Sequence, residues 1–253
     1  MWMIAALLHA CILFGPEQPQ GAQDAQTGVT SQAEPPRKHD LPKAPPDGAV
    51  VLFDGTDTAA FRDKDGQPVK WPVREGVLEV DQSAGDIFSR ETFGDCLLHV
   101  EWNSPPGAAA SNQLEGNSGV KLQGEYEIQI LNSPGAPHKL AKNEAGAIYN
   151  LRPATPNAST GPGTWQTFDI WFTAPRWDGE TKTANARITM YWNGVLVHED
   201  IEVPDKTGAS RGESPGDHSM LFQAHASTAE GDVKFRNVWV VRDPMAKGFA
   251  PPR

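Results

Sequence analysis

The chain has 253 residues, of which 38% are hydrophobic, and a formal net charge of −10. It can therefore bury a large core without disulfides or structural metals. Its lysines and arginines are scattered singly, which argues against a nucleic-acid partner, because such proteins concentrate positive charge on one face.

Residues 1–14 form an apolar run that is too short to span a bilayer and has the length of a signal-peptide core. Although no Lys or Arg precedes this run, we predict an export segment over residues 1–22 and a periplasmic or extracellular protein. Leu-His-Ala-Cys, ending at Cys11, is a distorted lipoprotein cleavage box. Lipid attachment of Cys11 to the membrane is therefore the alternative. Removal of this segment leaves Cys96, which we predict to be a small buried hydrophobe.

Residues 23–48 are rich in Pro, Gln and Ala and are predicted to be a flexible linker. From residue 49 onwards, short apolar alternations are separated by turn pairs such as Asn193-Gly194, and no stretch of a dozen residues keeps a helical period. We therefore predict one domain over residues 49–242 and a C-terminal tail over residues 243–253.

The predicted strands cover residues 49–53, 72–80, 86–89, 95–103, 117–122, 125–131, 146–150, 165–173, 187–192, 195–201, 219–225 and 232–241. This spacing predicts an all-β fold, a β-sandwich of two packed antiparallel sheets.

An unusual polar row lies in the second of two strands that meet at Gln123-Gly124. Glu125, Glu127 and Gln129 alternate with apolar residues and so share one face of this strand. A solvated face is the simplest interpretation. The alternative is a binding groove on a central strand, which the long loops 103–116, 132–145 and 151–164 around it favour.

Five blocks of the sequence carry a resemblance to a known family. They are "LFDGTD" at 52–57, "GNSGVKLQGEYEIQILNS" at 116–133, "GAIY" at 146–149, "WNGVLVH" at 192–198 and "LFQAHASTAEGDVKFRNVWV" at 221–240. In this order, over roughly residues 49–242, they resemble the 3-keto-disaccharide hydrolase family. The chain has Asn132 where the family usually has Asp.

The resemblance implies a concanavalin A-like (LamG or glucanase type) β-sandwich with a jelly-roll arrangement of its strands. It also implies a 3-keto-glucoside 1,2-lyase or 3-keto-2-hydroxyglucal hydratase activity and export by a bacterium. A ketone at C3 of a glycoside acidifies the C2 hydrogen, so a base can remove it, the group on C1 can leave by β-elimination, and water can then add. The expected partners are an oligosaccharide or glycoside substrate and a separate sugar 3-oxidoreductase that makes the ketone.

This chemistry needs one base, donors for the enolate oxygen and an acid for the leaving oxygen. Glu127, at the centre of the polar row, is the first candidate for the base, with Gln129 beside it as a substrate hydrogen-bond partner. Glu125 stands next to the turn and is expected at the rim.

His225 and Arg236 are the candidates for stabilising the enolate, and Tyr149 could donate to the leaving oxygen. Each has a structural alternative: a hydrogen-bonded histidine, an ion pair between Arg236 and a sheet carboxylate, and a tyrosine that is half core and half surface. Gln223 shares a strand face with His225 and is expected to contact substrate.

Asn117 and Ser118 are placed either to bind sugar hydroxyls or to cap their turn. Among the eight tryptophans, Trp177 is the best candidate for an exposed sugar-stacking platform. Those expected mostly in the core are Trp71, Trp102, Trp165, Trp171, Trp192 and Trp239.

A divalent metal ion could serve as an enolate clamp if Glu125, Glu127 and His225 came together, although the sequence has no strong zinc motif. Two other functions stay open. One is a noncatalytic carbohydrate-binding sandwich. The other is a classical glycosidase that uses Glu125 and Glu127 as a carboxylate pair.

Overall fold

The computed structural model describes residues 44–107, 112–209, 211–225 and 231–252. The predictions for the export segment, for Cys11 and for most of the linker lie outside these residues. Within them the one helical element is a single 3₁₀ turn, Gln82–Ala84. No helix in this part of the chain is long and apolar enough to cross a membrane.

The described ranges contain fifteen strands. They are β1 (Val50–Phe53), β2 (Phe61–Arg62), β3 (Val73–Arg74), β4 (Val77–Glu79), β5 (Ile87–Phe93), β6 (Cys96–Asn103), β7 (Ser118–Leu122), β8 (Tyr126–Ile130), β9 (Gln166–Thr173), β10 (Arg176–Asp178), β11 (Thr181–Ala184), β12 (Ala186–Trp192), β13 (Val195–Val203), β14 (His218–Phe222) and β15 (Lys234–Arg242).

Two antiparallel sheets form the sandwich, which confirms the predicted all-β class. The eight-stranded sheet has the order β13-β12-β9-β6-β15-β4-β3, with β1 also paired to β15. The five-stranded sheet has the order β2-β5-β14-β7-β8, and β10 and β11 form a separate ribbon.

Local patterns predicted most strands well. The Asn193-Gly194 hairpin joins β12 to β13, and both turn residues have positive φ, 50° and 74°. Two strand predictions were wrong: residues 72–80 split into β3 and β4 around a Glu-Gly turn, and residues 146–150 contribute only the bridge Ile128↔Ile148 to β8. The sequence missed β2, β10 and β11, which are too short to show an alternation.

The core fills the space between the two sheets. Tyr126, Ile128 and Ile130 of β8 enter it, as predicted, and so does Cys96 of β6. Burial raises the pKa of the Cys96 thiol, so this residue is the buried hydrophobe that we expected. Of the predicted core tryptophans, Trp71, Trp102, Trp171, Trp192 and Trp239 are buried, whereas Trp165 is half-buried.

A second apolar cluster lies on the outer face of the eight-stranded sheet and includes Trp171 and Tyr191. The C-terminal tail packs on it: Trp171 Nε1 donates to the Phe249 carbonyl at 2.6 Å, and the Tyr191 hydroxyl donates to the Pro252 carbonyl at 2.9 Å. This face of the sandwich is therefore used in part for structural packing.

Candidate active site

The polar row lies on the outer face of the five-stranded sheet, away from the core. Glu127 and Gln129 are 3% and 1% exposed, so the interpretation as a solvated face is wrong. The prediction of a central strand was also wrong, because β8 ends its sheet. Its free edge is covered by residues 146–149 through backbone hydrogen bonds, such as Tyr149 N to the Glu127 carbonyl at 3.0 Å.

The hairpin β7–β8 sets Lys121 directly opposite Glu127. Lys121 Nζ lies 3.2 Å from Glu127 Oε2, and both side chains are buried. Burial raises the pKa of Glu127, and the positive charge of Lys121 opposes this rise. A glutamate with a raised pKa is better matched to proton transfer near neutral pH than an ordinary one.

A short segment, Thr207–Ala209, covers this pair. Thr207 Oγ1 accepts a hydrogen bond from Glu127 N at 2.7 Å, and the Ala209 carbonyl accepts one from Lys121 Nζ at 2.7 Å. Gly208 has φ +64°, and a Cβ atom there would lie 2.5 Å from Glu127 Oε2. Only glycine fits at this point of contact.

Close packing also surrounds the other carboxylate oxygen. A Cβ atom on Gly119, which pairs with Gln129 across the hairpin, would lie 2.9 Å from Glu127 Oε1. The Gln129 amide can turn its NH2 group to donate to the same Oε1 at 3.0 Å. The carboxylate is therefore held in one position by its neighbours.

Amide groups continue the polar surface beyond Gln129. In the orientation that the structure shows, the Gln129 side-chain nitrogen donates to Asn117 Oδ1 at 3.2 Å, a bond that it gives up when the amide turns to Glu127. Asn117 Nδ2 donates to the Gln113 carbonyl at 2.7 Å. Asn117 thus lies beside the polar row, as a sugar-binding residue would, and its side chain is anchored to the preceding loop.

The structure brings the Tyr149 ring next to the Glu127 carboxylate, and the charge of His225 acts on the same carboxylate. A Cβ atom on Gly208 would lie 2.5 Å from Glu127 Oε2 and 3.3 Å from Tyr149 Cδ1, so the carboxylate and the tyrosine ring flank the same point. His225 is near enough for its charge to oppose the rise in the pKa of Glu127, whereas Asp86 adds to that rise. Asp86 Oδ1 also accepts a hydrogen bond from Ala224 N at 2.8 Å.

Three sequence candidates are not brought to Glu127. Arg236 lies on the outer face of the other sheet, where its Nε donates to Glu101 Oε2 at 2.6 Å, so the ion-pair interpretation describes it. Ser118 occupies the core-facing row of β7 and donates to the Gln223 carbonyl at 2.8 Å. Trp177 lies in the β10–β11 ribbon and is half-buried rather than an exposed platform.

Gln223 follows β14, and its backbone N donates to the Gly119 carbonyl at 2.9 Å. Its main chain therefore supports the strand that faces Glu127. Glu125 lies in the turn before β8, where its Oε2 accepts a hydrogen bond from Gly212 N at 3.0 Å. Glu125 is 8% exposed, so it is more buried than the rim position that we expected.

Among the residues that the structure describes, no group of three or more His, Cys, Asp or Glu side chains could hold a metal ion. Glu125, Glu127 and His225 therefore do not form the three-ligand site that we considered. The cation beside Glu127 is instead a residue of the chain, Lys121.

A cleft of about 850 Å³ lies next to the covered pair, on the same face of the five-stranded sheet. Glu125 and Ala209 form part of its wall, and Arg62, Phe88 and Arg211 line it farther away. Thr207–Ala209 therefore covers the Glu127 carboxylate on one side and contributes Ala209 to the wall of the cleft on the other.

The sequence missed Lys121 and Asp86. A two-residue turn at Gln123-Gly124 would set Val120 opposite Glu127. In the structure Leu122 pairs with Tyr126, so three residues form the turn and the register shifts by one. That shift moves Lys121 to the face of Glu127.

Comparison with solved structures found similar proteins. A candidate glycosyl hydrolase from Parabacteroides distasonis shares 30% identity with this chain at a TM-score of 0.71, over 89% of this chain and 100% of that one. A second candidate glycosyl hydrolase from the same organism shares 19% identity at a TM-score of 0.52, over 76% of this chain and 93% of that one, and shows the fold alone. A search of curated proteins found no match.

The family comparison covers nearly the whole sandwich. Residues 48–241 match the model of the 3-keto-alpha-glucoside-1,2-lyase-like domain. The matched span includes the hairpin that carries Lys121 and Glu127, and also Tyr149 and His225. The chain therefore belongs to the 3-keto-alpha-glucoside-1,2-lyase-like domain family.

Proposed function

We propose that this protein is a carbohydrate-active enzyme that cleaves 3-keto-glycosides by C2 proton abstraction, β-elimination at C1 and hydration. The observation that carries the proposal is the buried Glu127 carboxylate, whose pKa is raised by burial and which faces a single lysine. Family membership supports the same chemistry.

Glu127 acts as the base. It takes the C2 proton, and the electrons of the C–H bond form the enolate with its negative charge on the C3 oxygen. When Glu127 becomes neutral, the charge of Lys121 at 3.2 Å loses its counter-charge inside the protein. The Lys121 ammonium is then free to stabilise the enolate. Glu127 thus takes the proton, and Lys121 stabilises the negative charge that the proton leaves behind.

The second step breaks the bond between C1 and the leaving oxygen. The C3 carbonyl forms again, a double bond forms between C1 and C2, and the leaving oxygen takes a proton. Tyr149, beside Glu127, is the donor that the geometry favours for this proton, with His225 as the alternative. Water then adds its oxygen to C1 and a proton to C2. The sum of elimination and hydration is hydrolysis.

Substrate contacts come from the amide groups of the site. Gln129 and Asn117 present donors and acceptors beside the base, and sugar hydroxyls can exchange for the hydrogen bonds that these groups make to each other. Because Glu127 is 3% exposed, a substrate reaches it only when Thr207–Ala209 moves aside. The segment is held by three hydrogen bonds: Thr207 N donates to the Glu125 carbonyl at 2.9 Å, Thr207 Oγ1 accepts from Glu127 N, and the Ala209 carbonyl accepts from Lys121 Nζ. A bound sugar can replace the bond to Lys121.

The reaction also defines the setting of the protein. It requires a ketone at C3 of the substrate, so an oxidoreductase acting on sugars must supply that substrate. The apolar segment 1–22 supports export, which would bring the enzyme to glycosides outside the cytoplasm.

The test is an incubation of the full chain in D2O with a 3-keto-disaccharide and, in parallel, with its unoxidised parent, followed by NMR. We expect cleavage of the keto sugar alone, with deuterium at C2. Cleavage of the parent would indicate a classical glycosidase instead. If neither sugar changes while its signals still report binding, the protein is a carbohydrate-binding module and the proposal fails.

A further inference from the structure

Two arginines in the cleft beside the active site have no acidic partner. Within the described residues, neither Arg62 nor Arg211 forms an ion pair, although both line the cleft. The arginines of this part of the chain that do form ion pairs are Arg74, Arg176, Arg187, Arg236 and Arg242.

The cleft also contains two carboxylates, Asp86 and Glu125, and among the described residues neither lies within ion-pair distance of Arg62 or Arg211. Asp86 Oδ1 accepts its hydrogen bond from Ala224 N, and Glu125 Oε2 accepts one from Gly212 N. A chain with a net charge of −10 thus keeps two guanidinium groups for one cleft. Guanidinium groups bind carboxylates through paired, charge-assisted hydrogen bonds.

Arg62 is also positioned for a flat ligand. Its guanidinium carbon lies 5.2 Å from the centre of the Phe88 ring, and its nitrogens donate to the Asp63 carbonyl at 3.1 Å and to Ser219 Oγ at 3.4 Å. The side chain is held by neighbours that leave further N–H groups for a ligand. Phe88 adds an aromatic surface within the same cleft.

The cleft lies on one side of the base. In the polar row, Glu125 precedes Glu127 and Gln129 follows it. Of these three residues, Glu125 alone lines the cleft. The amide groups around Gln129 suit the keto sugar, so the cleft is left for the group attached to C1.

We infer that the cleft is the subsite for the leaving group and that it takes an aromatic aglycone bearing a carboxylate. This inference rests on the proposed function for the reaction, but the charge preference of the cleft can be measured without turnover. The ring lies against Phe88 and Arg62, and the carboxylate contacts Arg62 and Arg211.

The experiment uses a matched pair of 3-keto-glucosides whose aglycone is 4-hydroxybenzoate or its neutral methyl ester, each as both anomers. For the wild-type protein we expect kcat/KM to be about ten-fold higher for the acid than for the ester. Arg62→Gln and Arg211→Gln should each reduce this preference by about three- to ten-fold, the scale of a partly exposed charge contact. Arg62→Lys, which keeps the charge, should retain part of it.

Arg187→Gln is the matched control, because it removes the same charge from a residue that is paired with Asp200 on the other sheet. It should leave the preference unchanged. Equal turnover of acid and ester by the wild-type protein, or an unchanged preference in both cleft variants, would overturn the inference.

A binding measurement separates this inference from the proposed function. NMR titration of the unoxidised acid and ester glucosides reports the cleft even if no keto-glycoside is cleaved. If no keto-glycoside is cleaved, the subsite is still supported when the acid binds more tightly than the ester and when Arg62→Gln and Arg211→Gln abolish that difference. Equal binding of both glucosides would refute the subsite whether or not the enzyme is active.

Discussion

The two outer faces of the sandwich each carry a buried glutamate beside a cation, yet the two carboxylates differ in character. Glu127, on the five-stranded sheet, faces Lys121, and burial raises its pKa. Burial also acts to raise the pKa of Glu101, on the eight-stranded sheet. Hydrogen bonds with His99, Asn237 and Arg236 outweigh this effect and lower the pKa to about 2.

The balance between burial and hydrogen bonding decides the difference in pKa between the two carboxylates. Glu101 accepts hydrogen bonds from Arg236 Nε at 2.6 Å and Asn237 Nδ2 at 2.8 Å, and His99, itself bonded to Asp169 at 2.5 Å, lies 3.8 Å away. Such a carboxylate cannot take a proton near neutral pH and is structural. Glu127 faces Lys121 at 3.2 Å, and the effect of burial on its pKa outweighs that of the nearby positive charge. A buried ion pair therefore indicates function here only because the pKa of its carboxylate stays raised.

Replacement of the two glutamates gives the sharpest contrast. Glu127→Gln removes the base with little change in volume, and we expect kcat on a 3-keto-disaccharide to fall by about 10²- to 10⁴-fold while the circular dichroism spectrum is kept. Glu101→Gln, the matched variant on the other face, should keep kcat within about two-fold. Full activity of Glu127→Gln would remove this residue as the base.

Removal of the lysine tests how the pair is tuned. Lys121→Met takes away the charge that opposes the effect of burial, so the pKa of Glu127 should rise further. Because the base works when deprotonated, the rising limb of kcat against pH should move to higher pH by about one unit or more. Enolate stabilisation is lost as well, so we also expect kcat at high pH to fall.

Lys234→Met is the control for this profile, since Lys234 pairs with Glu79 on the eight-stranded sheet at 3.2 Å. It should leave the pH profile where it is. If Lys121→Met left the limb in place as well, the pair would not set the protonation of the base.

The structural glutamate should affect stability rather than rate. Glu101→Gln loses charge-assisted hydrogen bonds, which we expect to lower the free energy of unfolding by about 1–3 kcal/mol at pH 7. The folded pKa of Glu101 is depressed to about 2, so its contribution is present above the unfolded pKa and is lost as pH falls towards 2. Urea unfolding at pH 7 and pH 3 should show the gap to wild type shrinking in acid. A constant gap would contradict this explanation.

Local alternation in the sequence was enough to predict the strands of the sandwich and the two faces of β8. It also showed that Glu127 and Gln129 share a face of β8. Tyr149 and Asn117 were proposed from the chemistry that the resemblance implies, and both lie beside this row in the structure. The family resemblance, which the family comparison supports, added the chemistry that such a row can serve.

What failed depends on long-range structure. Lys121 was missed because one extra turn residue sets the register of the hairpin. The cover formed by Thr207–Ala209 was missed because it comes from a loop in which Thr207 follows Glu127 by 80 positions in the chain. Arg236 was misplaced because an alternating pattern shows which residues share a face but not which sheet the strand joins.

Replacement of Arg236 has the smallest expected effect of these changes. It tests whether the outer face of the eight-stranded sheet is structural and that of the five-stranded sheet catalytic. Its side chain is 43% exposed and its guanidinium lies 4.0 Å from the centre of the Trp165 ring, so solvent already screens its bond to Glu101. We expect Arg236→Gln to lower the free energy of unfolding by about 0.5–1 kcal/mol and to change kcat by less than about two-fold. Loss of one donor should also let the pKa of Glu101 rise from about 2, which makes the variant less sensitive to acid than wild type. A ten-fold loss of kcat with the fold intact would instead couple Arg236 to the reaction across the core, and the outer face of the eight-stranded sheet could no longer be described as structural.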